Sequence, residues 1–169
     1  MKEMYALKRK AAYDSVQSNI QEDLKDRILR DFINIYIGEG SKRRDTEIAV
    51  TNSDFKTILL CLTAMKKFFL KEGKKIIFNV CYYKENNNEK ELVNYWSKLL
   101  KNNSNVDIRS YIQPTVKAIG HNNSNQYGLI KIAIYDTYAK QKLNAYMDYV
   151  KEEWVRELES IYETKVIEI

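Results

Sequence analysis

One short segment sets a lone carboxylate where chemistry could follow. The apolar run Phe32-Ile33-Asn34-Ile35-Tyr36-Ile37 ends in Gly38-Glu39-Gly40. A carboxylate at the C-terminal end of a helix faces the negative end of the helix dipole, which costs about 0.3–1 kcal/mol when exposed. A bound cation reverses that sign, and Lys42, Arg43 or Arg44 can do so without a metal. The two glycines allow a second backbone, or a phosphate, to come close. The same residues also read as an ordinary glycine stop with a solvated glutamate.

Other chemistries find little support. Cys61 and Cys81 lie in apolar-patterned segments and form neither a disulfide framework nor a zinc spacing, so buried free thiols are expected. His121 is the single histidine. Two-histidine relaxase metal sites and most zinc hydrolase motifs are therefore excluded. No His-x-x-Arg precedes a tyrosine, which argues against a tyrosine recombinase. Neither Gly-x-x-x-x-Gly-Lys nor Gly-x-Gly-x-x-Gly occurs, so nucleotide-dependent chemistry has no motif. No apolar run has the length to cross a bilayer, and Met1-Lys2-Glu3-Met4-Tyr5 lacks a secretory layout, so a cytoplasmic protein without membrane contact is expected.

The 169 residues suit one domain, and 44% hydrophobic content suits a globular core. A formal charge of +5 and a pI of about 9.0 fit an anionic partner. Thirteen tyrosines serve either a core with wet edges or stacking on bases.

The elements that must position Glu39 follow from periodicity. Tyr5, Ala12, Val16 and Ile20 predict a helix over Met4–Lys25. A second, from Asp26 to Gly38, is apolar on more than one face and is expected to be central. Glu47–Thr51 reads as a strand, followed by Asn52-Ser53-Asp54 as a cap, with Ser53 expected to cap. Phe55, Ile58, Leu59, Leu62, Met65 and Phe69 form one helix face, closed by Glu72-Gly73. Lys75–Tyr83 is a strand, and Asn88 with Glu91 opens a helix carrying Leu92, Tyr95, Trp96 and Leu99. Val106–Gln113 is expected to stop at Pro114 and to form a hairpin with Gly128–Tyr135. Asp136 or Thr137 caps a last long helix. The fold class expected is α+β: a mixed, mainly antiparallel four-stranded sheet with helices mostly on one face. The domain reading is an N-terminal helical extension at 1–25, the α/β domain at 26–155, and a helix end and tail at 156–169.

The segment Phe32–Gly40 resembles the signature helix of the LAGLIDADG homing endonuclease superfamily. In that likeness Glu39 falls on the final acidic position and Gly40 on the final glycine. The resemblance implies an α-β-β-α-β-β-α domain that lays its sheet on double-stranded DNA. It implies a homodimer through the 26–39 helix, with Glu39 of each copy holding Mg²⁺ beside the scissile phosphate. Two carboxylates meeting at one point make a divalent-metal site suited to phosphodiester hydrolysis. A longer likeness runs from about Arg30 to Trp154, to a group of uncharacterised bacterial proteins. It rests on Arg30-Asp31-Phe32, Tyr36-Ile37-Gly38-Glu39-Gly40, Lys42-Arg43, Asn52-Ser53-Asp54, Trp96, Asn123-Ser124-Asn125-Gln126, Tyr127-Gly128, Asp136-Thr137 and Trp154.

For phosphate and base contact the sequence offers Lys42, Arg43 and Arg44 after Glu39, and Arg109 and Lys131 in strands. The polar loop adds Lys117, Asn123, Asn125 and Gln126. Two functions stay open: a Mg²⁺-dependent DNA endonuclease, and a non-catalytic DNA-binding or regulatory module of the kind a mobile element carries. A helix-turn-helix factor is set aside, since no short turn joins two short helices.

Overall fold

In this computed structural model the described residues are 2–42, 44–83, 89–104, 110–115 and 127–162. Helix α3 spans Arg27–Glu39 and is opened by Asp26, whose Oδ1 accepts from the Ile28 and Leu29 amides at 2.9 and 3.3 Å. Leu29, Phe32, Ile33 and Tyr36 recur at helical spacing and are fully buried. Burying one such side chain contributes about 1.5–3 kcal/mol. They pack α3 against helix α4 (Phe55–Ala64), helix α6 (Thr137–Tyr162) and strand β1 (Glu47–Asn52). The expected central position of this helix is what the structure shows.

Strands β1, β4 (Leu129–Tyr135) and β2 (Ile77–Tyr83) form an antiparallel array in that spatial order, and β3 (Ser110–Thr115) adds to the edge beside β2. The class is α+β, as expected. The expected hairpin is not formed: β3 runs parallel to β2, joined to it through helix α5 (Glu89–Ser104). Parallel neighbours need such a crossover, and the apolar stripe Leu92, Trp96 and Leu100 docks α5 on the core. Pro114 does not end the strand, because an edge strand pairs on one side only and tolerates a missing N–H. With one strand between α3 and α4, the element order differs from the α-β-β-α-β-β-α that the resemblance implies.

Two further expectations change. The first helix, α1, ends at Asp14, and a four-residue helix α2 (Ile20–Asp23) follows a turn. Ser15, Ser18 and Asn19 lie in that turn, residue types that divert backbone hydrogen bonds; the Ser15 hydroxyl donates to the Ala12 carbonyl at 2.8 Å. Asp54, not Ser53, caps α4, with Oδ2 accepting from the Thr57 amide at 2.8 Å. After Ala64, α4 passes into a π-helical segment, Met65–Phe69.

The register separates the two faces of the sheet. Ile48, Val50, Phe78, Val80, Ile130, Ile132 and Ile134 share one face and belong to the core. The other face carries Glu47, Ala49, Thr51, Asn79, Lys131 and Tyr135; Glu47, Ala49 and Asn79 are buried, while Thr51 and Tyr135 are exposed.

Candidate functional site

The end of α3 is built around Tyr36. Its ring is fully buried, and its hydroxyl donates to the Ser41 carbonyl at 2.6 Å. Gly40 lies directly over that ring. A Cβ at Gly40 would sit 2.5–2.6 Å from three ring carbons, closer than real contacts allow. The glycine is thus required by close approach and not by an unusual backbone angle, since its φ is −68°. Gly38 is different, with nothing within 4 Å of an added Cβ.

Lys140 of α6 reaches the same point. It is 3% exposed, and Nζ donates to the Tyr36 hydroxyl at 2.8 Å and to the Ser41 carbonyl at 3.3 Å. Burial lowers the lysine's pKa, against the upward pull of Asp45 and Glu47. Burial likewise pushes the Tyr36 phenol up to about 12, with the charge of Glu47 adding to it. Both groups are shut from solvent, so the pair clamps α3, α6 and the segment after Gly40 and does not meet a substrate.

Glu39 points outward, and its Oε2 accepts from Asn52 Nδ2 at 2.5 Å. Asn52 Oδ1 in turn accepts from the Asp54 amide at 2.8 Å. One amide side chain thus ties the end of α3 to the start of α4. The separate sequence stretches Gly38-Glu39-Gly40 and Asn52-Ser53-Asp54 become one unit. As a ligand for a hard cation, Glu39 fits in part: it offers carboxylate oxygen at an exposed point. Among the described residues, no cluster of three or more histidine, cysteine, aspartate or glutamate side chains is placed to hold a metal. A Mg²⁺ ion there would need oxygens from a second copy, from phosphate and from water.

The residues expected to contact DNA lie in different settings. Lys42 Nζ donates to the Ile37 carbonyl at 2.6 Å, satisfying an otherwise unpaired carbonyl at the end of α3. Arg44 is exposed, with Nε 4.0 Å from Glu47 Oε2. Lys131 forms an ion pair with Glu47, whose side chain is 2% exposed. The Ala49–Ala133 pair lies between Lys131 and Glu47 on that face, so the aliphatic stem of Lys131 passes over the two alanines. Arg43, Arg109, Lys117, Asn123, Asn125 and Gln126 lie outside the described residues. His121 lies outside them too.

Both cysteines are free, and burial pushes the Cys61 thiol up to about 12, with the Glu39 charge reinforcing the shift. Sequence reasoning missed Lys140, though a signal was present. It falls on the stripe Ala139, Leu143, Tyr146, Met147 and Val150, where a lysine must either be satisfied or distort the helix. The burial of Glu47 carries no such signal.

Many residues of the longer sequence pattern are architectural in this fold. Tyr36 and Gly40 stack, Asn52 links Glu39 to Asp54, and Trp96 Nε1 donates to the Tyr127 carbonyl at 2.9 Å. Asp136 caps α6 by accepting from the Tyr138 and Ala139 amides at 2.8 and 3.0 Å. Comparison with protein families, curated proteins and solved structures finds no match. No helix among the described residues is long and apolar enough to cross a membrane.

Proposed function

We infer that the chain binds double-stranded nucleic acid across the sheet face opposite the core. The observation that carries this reading is that the sheet face opposite the hydrophobic cluster exposes Thr51, Leu129 and Tyr135, while Glu47, Ala49, Asn79 and Ala133 between them are buried. Thr51 and Leu129 are exposed there, Tyr135 is 40% exposed, and Arg44 stands at the β1 end. A net charge of +5 favours an anionic partner. Replacing Thr51 and Leu129 together by glutamate places two like charges against phosphate without touching the core. Duplex affinity should fall about tenfold or more at low salt. Unchanged affinity in a folded double variant would remove this face from the account.

The finer reading is a Mg²⁺-dependent endonuclease, a homodimer whose α3 helices meet at Gly38 and bring two Glu39 carboxylates together. Its support is the open space at Gly38 and the exposed carboxylate beside it. The ion, held by the two Glu39 side chains, would supply Lewis-acid stabilisation of the scissile phosphate. Asn52 would then orient the carboxylate. A non-catalytic binding module is favoured by a different observation: Glu39 already has a structural partner in Asn52. Nicking of supercoiled plasmid with Mg²⁺ or Mn²⁺ separates the two. The nuclease reading expects nicking that Glu39→Gln abolishes, and wild-type protein that does not nick would contradict it.

A further inference from the structure

A cleft of about 710 Å³ opens at the opposite end of β4 from Leu129, between α1, β4, the start of α6 and the segment before β2. Arg9, Lys71 and Lys74 line it together with Tyr5, Tyr135 and Tyr138. Three cations and three phenols converge there from four parts of the chain, which local helix or strand patterning does not require. Thr46 and Thr137 add hydroxyls at the wall.

The charges do not cancel internally. Asp136 is the one carboxylate in the lining, and it is largely committed to the Tyr138 and Ala139 amides. Lys71 Nζ stands 3.9 Å from Asp136 Oδ2 and 5.1 Å from the centroid of the Tyr138 ring, which holds it at the wall. Arg9 and Lys74 have no carboxylate partner among the described residues and are exposed. Because Asp136 occupies the first amides of α6, an anion entering the cleft must be held by side chains. The exposed rings of Tyr5 and Tyr135 offer flat apolar surface a short step from those cations.

We propose that this cleft binds a nucleoside phosphate, its phosphate held by Arg9, Lys74 and Lys71 and its base laid on Tyr135 or Tyr5. The volume matches a ligand of that size. Arginine and lysine give charge-assisted bonds to phosphate oxygens, and stacking on tyrosine tolerates any base. Two sources share this chemistry: a free nucleotide and the 5′-phosphorylated end of a strand. The cleft shares Tyr135 with the proposed duplex face but not Thr51 or Leu129, whose variants test that contact, so either reading can fail alone.

The test is titration of the full chain with AMP, ATP, adenosine, inorganic phosphate, and a short single strand with and without a 5′-phosphate. Binding is followed by calorimetry. The cleft should take AMP or ATP more tightly than adenosine or inorganic phosphate. Arg9→Gln with Lys74→Gln should weaken this about tenfold or more. Tyr135→Ala should weaken it several-fold while Tyr135→Phe does not. Preference for the 5′-phosphorylated strand over its 5′-hydroxyl twin, with the same sensitivity to these variants, assigns the strand end as the source and supports the proposal. No saturable binding of any probe in the millimolar range overturns it. So does binding indifferent to the charge variants, or inorganic phosphate bound as tightly as nucleotide with no effect of Tyr135→Ala. Circular dichroism confirms that each variant is folded, and the replaced side chains are surface ones.

Discussion

Gly38 and Gly40 are two residues apart, yet the structure gives them opposite constraints. At Gly40 any Cβ strikes the Tyr36 ring, so Gly40→Ala should destabilise by about 1–3 kcal/mol through overpacking. At Gly38 the space is open, so Gly38→Ala should raise stability by about 0.5–1 kcal/mol through helix propensity. Urea denaturation of the two variants measures both, and a destabilised Gly38→Ala would show that something unseen approaches there. Two buried phenols and one partly buried phenol set an alkaline limit. Tyr13 and Tyr36 are pushed up to about 12 from 10.0, and Tyr146 is raised as well, each chiefly by burial. Their contribution is full below pH 10 and is lost as pH rises through the folded values, because the unfolded chain releases these protons first. Lys140 opposes this in part: with its folded pKa lowered, the unfolded chain holds its proton longer and stability gains as pH approaches 10.5. Stability against urea should therefore fall from about pH 10 upward, and Tyr36→Phe should flatten the fall. A wild-type profile flat from pH 9 to 12 would contradict this burial.

Among the elements, helices with a clean apolar stripe were legible in the sequence, and pairing between strands was not. The central α3 followed from Leu29, Phe32, Ile33 and Tyr36 at helical spacing. The helix over Phe55–Phe69 was found, but its π-helical end was not, since Met65–Phe69 keeps the same residue types on its buried side. The expected hairpin of β3 with β4 rests on proximity in sequence, but both sides of β4 are taken, by β1 and β2. The candidate site was legible only as Glu39 and its glycines. Its supports, Asn52 and Lys140, come from other elements and become visible once those elements pack. Helix α6 is divided in a way that hydrogen exchange reads. Residues 139–150 are anchored through Leu143, Tyr146 and Val150, while 151–161 is mostly exposed, including Trp154, Leu158 and Ile161. Amides of 140–150 should exchange with near-global protection and those of 153–161 far faster. Equal protection along the helix would mean that another surface covers its second half in solution.

For the whole molecule, charge and sheet geometry point the same way. The hydrophobic cluster takes one face of the sheet, and the opposite face exposes Thr51, Leu129 and Tyr135 around a buried Glu47, Asn79 and alanine pair. Two cations expected on DNA are partly spent within the fold, Lys42 on the end of α3 and Lys131 on Glu47. The proposed duplex contact then draws on Arg44 and on cations that the sequence did not single out. Phosphate contact of this kind releases counterions, so its strength depends on salt in a defined way. The most direct measurement is the affinity of the full chain for a blunt 5′-hydroxyl duplex across a range of salt concentrations. The account predicts a linear fall of log affinity with log salt, at a slope of about −0.9 for each phosphate contacted and with several contacted in all. Affinity independent of salt, or no binding to duplex at low salt, would contradict it.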